Sequence, residues 1–577
     1  MTNNLRKNYE TLFKPSKIGA LTLKNRIVLP PATTGFYDNN GNLTDQYVRY
    51  MAERAKGGVG LIVTEACLPE APRPGSTLRF NLDSPVSTQK LHELADIVHG
   101  YGAKLGLQVS AGPGRVDLEA AGRPLSASET PSFANPSVLS QAMTTDEIHD
   151  MVRKIGVTAM KGVFSGADLI NIYAHYGYLI DQFMSPQWNK RTDEYGGSLE
   201  NRMRFPKEII QEIRNNVGPH VPIVFRISID QTYEGGRKVE DSIDILRYLV
   251  DECSVDALDV DDGVYESLDM MFPPYYHGDT PYSNNLKKLA SYDFGVPILA
   301  SGSHTPETMV DYIDNNLADF VQIARPLIAD PFLPKKLQEG KPEDVKPCIL
   351  CNEFCIIGVL NGWGLGCSVN GQVGKEINSP LESATVPKKI VVVGGGPAGL
   401  EAAITAKKLG HEVEIYEASD AVGGLIKAAA TPPFKSRLRE LIVWYERQIE
   451  NLQIPVKFNN PINADSKELE SADYIFVANG STEIVPPMDG IDGDNIVKVV
   501  EAHHHQEQIK GENILIAGGG LSGCDFGLEL AMKGKKVTIV EMRDQIAAEE
   551  REIEYENLAI SSITLALSNK LLTEKII

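Results

Sequence analysis

The sequence predicts an α/β protein with a (β/α)8 barrel in its N-terminal part and Rossmann-like segments in its C-terminal part. Three observations predict this fold class: eight short apolar runs alternating with helix-period stretches, a quartet of cysteines, and two glycine-rich turns that each follow an apolar run. The chain has 577 residues, and this length corresponds to roughly three or four domain-sized units.

Composition narrows the class of protein and of partner. Hydrophobic residues make up 42% and charged residues 23% of the chain, as in ordinary globular domains. The formal net charge of −21, without a basic tract, argues against nucleic-acid and anionic membrane partners. Apolar runs are shorter than the roughly 20 residues that span a bilayer, and the N-terminus does not resemble a signal peptide. We expect a cytoplasmic protein, and a homo-oligomer remains open.

The barrel is predicted from the apolar, β-branched runs between residues 26 and 324. They span 27–31, 59–64, 104–109, 168–173, 223–228, 257–260, 297–300 and 319–324, with helix-period stretches between them at 48–56, 91–99, 145–164, 201–215 and 306–315. Near-continuously apolar strands that alternate with helices are typical of a closed parallel barrel. An open doubly wound sheet is the alternative, but no glycine-rich phosphate loop follows the first run.

Residues at the ends of these runs are candidates for the functional site, because barrels of this kind carry their chemistry on the loops after the strands. Arg226 and Arg325 each end an apolar run, where an unpaired guanidinium is costly. An anionic ligand, such as a flavin phosphate or reduced flavin ring, would satisfy them, and so would a neighbouring carboxylate. Ser301-Gly302-Ser303 precedes a helix and offers backbone N–H groups to a phosphate.

Four cysteines follow the barrel segment with the spacing C-x2-C-x3-C-x11-C, at Cys348, Cys351, Cys355 and Cys367. A close trio with one remote member suits a [4Fe–4S] cluster, in which each corner iron takes one thiolate. Zinc sites more often show two separated pairs or a mixture with histidine, and a disulfide framework is not typical of a large chain with seven cysteines. The quartet therefore predicts an electron carrier.

Two dinucleotide-binding fingerprints follow the cysteines. The first comprises an apolar run at 388–393, the glycines Gly394, Gly396 and Gly399, a helical stretch, and Glu417 at the end of the next run. The second repeats this order with Gly518, Gly520, Gly523 and Glu541. Such glycines let the backbone approach a pyrophosphate, and the acid binds a ribose hydroxyl. The acid at Glu541 favours NADH over NADPH, although Arg543 nearby leaves NADPH open.

Three blocks of the barrel segment resemble the old yellow enzyme family: His-Tyr-Gly-Tyr-Leu at 175–179, Asp-Gln-Phe at 181–183, and the long block at 189–202. The cysteine quartet, closed by Cys-Ser-Val-Asn at 367–370, is similar to that of the multidomain branch with 2,4-dienoyl-CoA reductase, clostridial enoate reductase and trimethylamine dehydrogenase. The resemblance extends from about residue 12 to about residue 543. The first glycine loop with Glu417 resembles the FAD-binding half of disulfide-reductase-like flavoproteins.

The resemblance implies FMN at the mouth of the barrel. Its contacts by motif match are Pro31, Ala32, Thr33, Ala66, Gln108, Arg226, Gly302, Ala324 and Arg325. Thr33 matches a residue that tunes the flavin ring, Arg226 one that stabilises the reduced ring, and Arg325 one that holds the phosphate. The resemblance also implies FAD and NADH in the C-terminal part.

The catalytic residues implied by the resemblance are Tyr178, Tyr173, Tyr176 and His175. Tyr178 matches the proton-donating tyrosine of dienoyl-CoA reductase, and Tyr173 matches a tyrosine of the amine dehydrogenase. Many relatives carry His-Ala-Ala-His here, whereas this chain has Tyr173 and Tyr176 at the histidine positions, with His175 between them. The histidine that assists the donor in dienoyl-CoA reductase has no clear counterpart, and Ser267 lies near its place.

We predict four segments: an FMN-binding barrel at 1–345, a cluster segment and linker at 346–380, an FAD-binding domain at 388–500, and an NAD(P)-binding domain at 501–577. In relatives the chain returns from the nucleotide domain to complete the FAD site, and no such motif follows Glu549. The expected Ala-Thr-Gly turn is Ala-Asn-Gly at 478–480. We therefore expect both nucleotide domains to be incomplete.

The expected function is NAD(P)H-dependent reduction of the C=C bond of an α,β-unsaturated carbonyl compound, such as an enoate, an enone or a 2,4-dienoyl-CoA. NADH would reduce FAD, the cluster would pass single electrons, and reduced FMN would deliver hydride while a tyrosine supplies the proton. One alternative is an amine demethylase like trimethylamine dehydrogenase, although the sequence does not locate an aromatic cage for a cation. The other is an electron-transfer protein uncoupled from NADH.

Overall fold

The computed structural model describes residues 9–70, 80–117, 122–377, 382–485, 487, 489–543 and 546. This part of the chain forms two compact units. The first contains the residues up to 342 together with 350–377, and the second contains 343–349 and the described residues from 382 onward. Across the described ranges, no helix combines the length and the apolar character that a bilayer crossing requires.

The first unit is built on a closed barrel of eight parallel strands, β1–β8. They are β1 Ile27–Leu29, β2 Leu61–Val63, β3 Lys104–Val109, β4 Leu169–Tyr173, β5 Ile223–Asp230, β6 Ala257–Asp262, β7 Ile298–Ala300 and β8 Phe320–Gln322. Each strand pairs with the next one in the chain, and β8 pairs with β1. The barrel predicted from the sequence is therefore confirmed, and each strand falls on one of the eight apolar runs.

One helix follows each strand of the barrel before the next strand begins. These helices are α1 Asp45–Lys56, α2 Pro85–Gly100, α3 Thr145–Phe164, α4 Arg204–Val217, α5 Val239–Asp251, α6 Ser283–Leu289, α7 Pro306–Asp314 and α8 Leu333–Gln338. Local sequence fixes several of their starts. The Thr144 side chain caps α3 and forms a capping box with Glu147, while Ser84 caps α2 and Pro85 occupies its first turn.

Shorter elements decorate the barrel. The antiparallel strands Ser16–Ile18 and Leu21–Leu23 lie before β1, and the paired strands Leu125–Ser126 and Gln141–Ala142 lie between β3 and α3. Short helices span Glu10–Phe13, Leu179–Met184, Leu199–Arg202, Leu268–Met271, Ala324–Ala329 and Gly358–Leu360. A π-helical turn at Glu353–Ile357 lies in the cysteine segment.

The second unit contains two parallel sheets. The four-stranded sheet has the order β11-β10-β9-β12, formed by β9 Lys389–Val393, β10 Glu412–Tyr416, β11 Val456–Lys457 and β12 Tyr474–Val477. The two-stranded sheet pairs β13 Asn513–Ala517 with β14 Lys536–Val540. Its helices are α9 Pro397–Lys408, α10 Ser436–Asn451 and α11 Leu521–Met532, with shorter ones at Ile426–Ala429 and Val499–His504. Both α9 and α11 start directly after a glycine loop, as the fingerprints predict.

The barrel interior is layered, because alternate residues of a strand point to the same face. Leu169, Val224 and Ala257 of neighbouring strands belong to one apolar core cluster near the start of the strands. Two residues further along β4–β6, Asn171, Arg226 and Asp259 are all buried. The interior thus changes from apolar to polar toward the carboxyl ends of the strands, which is where a barrel carries its functional site.

A buried ion pair fixes the segment after β4. Arg237 Nη1 donates to Asp181 Oδ1 at 2.8 Å, and the two side chains are 2% and 0% exposed. Asp181 Oδ2 also accepts a hydrogen bond from the backbone N–H of Gly177 at 3.0 Å. The Asp-Gln-Phe motif therefore stabilises the turn that carries the predicted catalytic tyrosine Tyr178.

We predict that Arg237→Ala lowers the free energy of unfolding by about 3–5 kcal/mol, because it leaves the Asp181 carboxylate buried without its cation. Thermal unfolding followed by circular dichroism would measure this loss. Lys288→Ala is the matched control, since it removes the cation of an exposed ion pair with Glu240. Equal melting temperatures for Arg237→Ala and Lys288→Ala would contradict the prediction.

Glu65 is a second buried acidic side chain, two residues after the end of β2. Its carboxylate accepts hydrogen bonds from Thr34 Oγ1 at 2.8 Å and from the Thr34 backbone N–H at 3.5 Å. Burial raises the pKa of the Glu65 carboxyl from 4.5 to about 7, against the lowering effect of the Thr34 hydrogen bonds. The Glu65 carboxyl therefore stays protonated in the folded protein at pH values where it is already ionised in the unfolded chain.

We predict that wild-type stability declines as the pH rises from about 5 to about 8, and that Glu65→Gln removes much of this decline. Between the unfolded and the folded pKa the folded state binds more protons, so a rising pH lowers the free energy of unfolding by roughly 3 kcal/mol in total. Melting temperatures of the two proteins at both ends of this range would show it. Glu234→Gln, at an exposed position, should keep the wild-type dependence, and an unchanged slope in Glu65→Gln would refute the assignment.

Candidate functional site

A cavity at the carboxyl ends of the barrel strands contains the barrel residues that the sequence predicts to contact FMN or to act in catalysis. Its space is about 1330 Å3, a volume that includes the mouth open to solvent. Thirteen predicted residues line it: Pro31, Ala32, Thr33, Ala66, Gln108, Tyr173, His175, Tyr176, Tyr178, Arg226, Gly302, Ala324 and Arg325. Their individual roles stay predictions.

Arg226 lies in the cavity wall and is only 4% exposed. Its Nη2 donates to Asp261 Oδ2 at 2.9 Å, and its Nη1 lies 3.7 Å from Asp259 Oδ2. Burial alone would lower the pKa of the guanidinium, but the two carboxylates raise it. The sequence left an anionic ligand and a strand-end carboxylate open as partners of Arg226. The structure shows the carboxylate, and this partner compensates the charge of Arg226 within the protein.

Asp261 joins Arg226 to His175. His175 Nδ1 lies 2.9 Å from Asp261 Oδ2, and the Ser228 hydroxyl donates to Asp261 Oδ1 at 3.1 Å. Burial lowers the pKa of His175 and outweighs the opposite effect of Asp261. Conversely, His175 and Arg226 hold the pKa of Asp261 below its usual value despite its burial. The arrangement is therefore a neutral imidazole beside an ionised carboxylate.

Gln108 offers a hydrogen-bond acceptor to the cavity. Its Nε2 donates to Asn171 Oδ1 at 2.9 Å, which fixes the orientation of the amide. Its Oε1 is buried and has no hydrogen-bond partner in the described part of the chain. A buried acceptor without a donor is costly, and the imide N–H of a flavin ring would supply the donor. This orphaned atom fits a flavin in the cavity.

The opposite end of the cavity is cationic. Arg325 donates to the carbonyl oxygen of Pro273 at 2.7 Å and to Asn352 Oδ1 at 2.8 Å, and among the described residues it forms no ion pair. Gly302 has φ +87°, and a Cβ there would lie 2.4 Å from the ring of Tyr282, so only glycine fits. An arginine with neutral partners beside such a glycine, just before α7, fits the phosphate of FMN.

Tyrosines form the third wall. The ring centroid of Tyr178 lies 4.4 Å from that of Tyr173 and 6.0 Å from that of Tyr265, and the Tyr178 and Tyr265 hydroxyls are 3.2 Å apart. Tyr176 follows with φ +57° and stacks on His175 at 3.7 Å. Burial raises the pKa of Tyr173, Tyr176 and Tyr178 well above the usual value. These phenols are therefore protonated at neutral pH and can serve as proton donors.

Sequence reasoning missed Tyr265 and noted only that Ser267 lies near the place of the assisting histidine, which has no clear counterpart. Ser267 is buried away from the cavity, where its hydroxyl donates to the carbonyl oxygen of Gln231 at 2.7 Å. Tyr265, two residues earlier, lines the cavity instead. The pairing could not be read from the sequence, because Tyr178 and Tyr265 follow different strands and are 87 residues apart.

The cysteine segment contributes to the same cavity wall through Cys355, Ile356, Val359, Leu360 and Leu365. The Gly366 N–H donates to the Phe354 carbonyl at 2.8 Å, so the residues before Cys367 and Cys355 are directly paired. All seven cysteines lie in the described residues and are outside disulfides. Within the described ranges, however, three or more His, Cys, Asp or Glu side chains are nowhere grouped to hold a metal. The cluster assignment therefore still rests on cysteine spacing.

The two glycine loops of the second unit share one geometry. Gly394 and Gly518 have φ values of +106° and +112°, and a Cβ at Gly399 or Gly523 would lie about 2 Å from the carbonyl oxygen of the first glycine. Glu417 accepts a hydrogen bond from the Gly395 N–H, and Glu541 accepts one from the Gly519 N–H, both at 2.6 Å. Each predicted acid thus lies at its own glycine loop, as dinucleotide binding requires.

Comparison with known families agrees with this organisation. The sequence profile of the NADH:flavin oxidoreductase / NADH oxidase family matches residues 11–344. That of the pyridine nucleotide-disulphide oxidoreductases matches residues 375–450 and 455–564. These two matches imply a flavin and a nicotinamide nucleotide as cofactors.

Individual relatives cover most of the chain. It is 36% identical over 553 residues to an NADH oxidase from Thermoanaerobacter brockii, and 36% identical over 575 residues to a cinnamate reductase from Clostridium sporogenes. Each alignment covers 94% of this chain and 84% of the relative. More distant relatives include amine dehydrogenases and a probable demethylase.

A solved structure of 2-naphthoyl-CoA reductase in complex with 2-naphthoyl-CoA is similar with a TM-score of 0.90 and 30% identity. The match covers 99% of this chain and 87% of that protein. The resemblance seen in the motifs is therefore confirmed over nearly the whole length. The chain belongs to the NADH:flavin oxidoreductase / NADH oxidase family, in its multidomain old yellow enzyme branch, and is a flavin-dependent oxidoreductase.

Proposed function

We propose that this protein is an NAD(P)H-dependent flavin and iron–sulfur oxidoreductase that reduces the C=C bond of an α,β-unsaturated carbonyl compound. The observation that carries the proposal is the barrel cavity, where an orphaned amide oxygen and a cationic end suit a flavin and a wall of protonated tyrosines suits its substrate. The names of two relatives agree with this chemistry, because cinnamate and 2-naphthoyl-CoA both contain a C=C bond conjugated to a carbonyl group.

The residues of the cavity would have different roles in binding the flavin and in protonating the substrate. Gln108 would bind the edge of the flavin ring and Arg325 its phosphate, while Arg226, held by Asp261, would lie at the ring. When bound, the flavin supplies hydride to the alkene, and the cluster and nucleotides supply its electrons. Tyr178 donates its proton to the α-carbon, and the surrounding rings exclude water from that transfer.

The remaining cofactors are assigned to the other motifs. Cys348, Cys351, Cys355 and Cys367 would hold the [4Fe–4S] cluster. Gly394, Gly396, Gly399 and Glu417 would bind FAD, and Gly518, Gly520, Gly523 and Glu541 would bind NADH. The geometry shared by the two glycine loops supports two dinucleotide sites, and the acid at Glu541 supports NADH over NADPH because a 2′-phosphate would meet its carboxylate.

Oxidative demethylation of an amine is the second candidate, and one observation favours it. Tyr173, Tyr176, Tyr178 and Tyr265 place aromatic rings in one wall of the cavity, and such rings attract cations. The amine dehydrogenases among the relatives agree with it. Alkene reduction is favoured because Tyr178 and Tyr265 place two phenol hydroxyls 3.2 Å apart in the cavity wall, and amine oxidation does not need such a proton donor.

We predict that anaerobic addition of NADH bleaches the flavin absorbance, and that cinnamate or 2-cyclohexenone then restores it. Tyr178→Phe should bleach as the wild type does and regain its absorbance about a hundredfold more slowly, because the general acid is lost. Tyr233→Phe is the matched control, since it removes a buried hydroxyl that has no partner among the described residues and lies outside the cavity wall. Reduction of the flavin by dimethylamine, with no response to either alkene, would favour the second candidate.

We predict that Arg325→Met weakens FMN binding roughly ten- to hundredfold, because a hydrogen bond to a charged group contributes about 1.5–3 kcal/mol. Titration of deflavinated protein with FMN, followed by flavin fluorescence, would give the dissociation constant. Arg247→Met serves as the control, as Arg247 packs on the rings of Tyr292 and Phe294 away from the cavity. Equal affinities in all three proteins would remove Arg325 from the phosphate site.

A further inference from the structure

Tyr265 lines the cavity beside Tyr178, and the family resemblance assigns it no role. It follows β6, is 9% exposed, and packs edge to face on Phe133 with ring centroids 5.4 Å apart. Its hydroxyl lies 3.2 Å from that of Tyr178, and the two rings are inclined by only 25°. The pair is thus a preformed hydroxyl–hydroxyl contact inside an apolar cluster that also contains Val116 and Met271.

In this apolar environment the anion formed by Tyr178 needs a hydrogen-bond donor, and the Tyr265 hydroxyl can supply one. When Tyr178 gives its proton to a substrate carbon, its oxygen becomes a buried phenolate, and a buried anion without a donor is strongly destabilised. Burial has the largest effect on Tyr178 and disfavours the phenolate, and the neighbouring groups Tyr173 and Asp117 disfavour it further. The hydrogen bond from Tyr265 acts in the opposite direction.

We propose that Tyr265 is the positioning residue for the proton donor Tyr178: it orients the Tyr178 hydroxyl, stabilises the phenolate by donating a hydrogen bond, and returns a proton to it. This inference rests on the proposed function, since it concerns the protonation step of alkene reduction. It replaces the histidine expected from the resemblance with a phenol.

In this step a hydride supplied by a bound reduced flavin would form a C–H bond at the β-carbon, and the π electron pair of the alkene would move to the α-carbon. The O–H bond of Tyr178 would break, its proton would form the second C–H bond, and its electron pair would stay on the phenolate oxygen. The O–H proton of Tyr265 would then move to Tyr178, and solvent water would reprotonate Tyr265. The alkene would gain the two electrons that the flavin gives up.

The test compares Tyr265→Phe, Tyr265→His and wild type as holoenzymes with 2-cyclohexenone. In Tyr265→Phe we expect kcat to fall about tenfold with KM unchanged, and the solvent deuterium isotope effect on kcat to increase, because the phenolate is then reprotonated directly by water. Flavin reduction by NADH should keep its wild-type rate. Tyr265→His should recover most of kcat, since imidazole again offers an N–H donor.

Two results would overturn the assignment. A rise in KM with unchanged kcat and isotope effect would mean that Tyr265 only shapes the wall, and a wild-type kcat in Tyr265→Phe would mean that Tyr178 needs no partner. Flavin content and melting temperature, measured for each variant, separate a folding defect from a loss of proton transfer. If the wild type reduces no α,β-unsaturated carbonyl, the proposed function itself fails, and that outcome is visible before any variant is made.

Discussion

The ion pair between Arg226 and Asp261 is the interaction on which the barrel site depends. Strand pairing places Arg226 of β5 between Tyr173 of β4 and Asp259 of β6. The guanidinium is almost fully buried, so it must be compensated by charge from within the barrel. Asp261 supplies this charge at 2.9 Å and binds His175 with the same oxygen. Since His175 begins the turn that leads to Tyr176 and Tyr178, the ion pair orients the tyrosine wall.

The two arginines of the cavity illustrate how partners decide what a cation can bind. Arg226 lies beside the carboxylate of Asp261, which largely compensates its charge within the protein. Arg325 donates to a carbonyl and an amide oxygen at 2.7 and 2.8 Å and lies 3.5 Å from His304 Nε2, and within the described residues it forms no ion pair with a carboxylate, so its charge is left for an anion. The cavity therefore combines a compensated end, suited to an uncharged ring or alkene, with a cationic end suited to a phosphate. A flavin mononucleotide has this same polarity along its length.

The sequence was sufficient for the barrel because the eight apolar runs alternate with helices, and for the cavity because barrels carry their chemistry where strands end. The sequence was insufficient for side-chain contacts in which the two residues come from different strands or from the loops that follow them. The apolar run at 257–260 predicts a strand that ends before Asp261, yet β6 continues to Asp262, because Arg226 and Asn285 supply partners for these acids. Tyr265 was missed for the same reason, since only tertiary structure brings its hydroxyl to Tyr178.

Asn352 connects the cysteine segment to the cationic end of the cavity at Arg325. It has φ +63°, a left-handed conformation that asparagine tolerates better than most residues. Its side chain accepts from Arg325 and donates to the Phe272 carbonyl at 2.8 Å, while its own carbonyl accepts the N–H groups of Ile356 and Ile357. The residue that follows Cys351 thus holds the arginine at the cationic end of the cavity. The hydrogen bonds of Asn352 therefore connect the backbone of the cysteine segment directly to the side chain of Arg325.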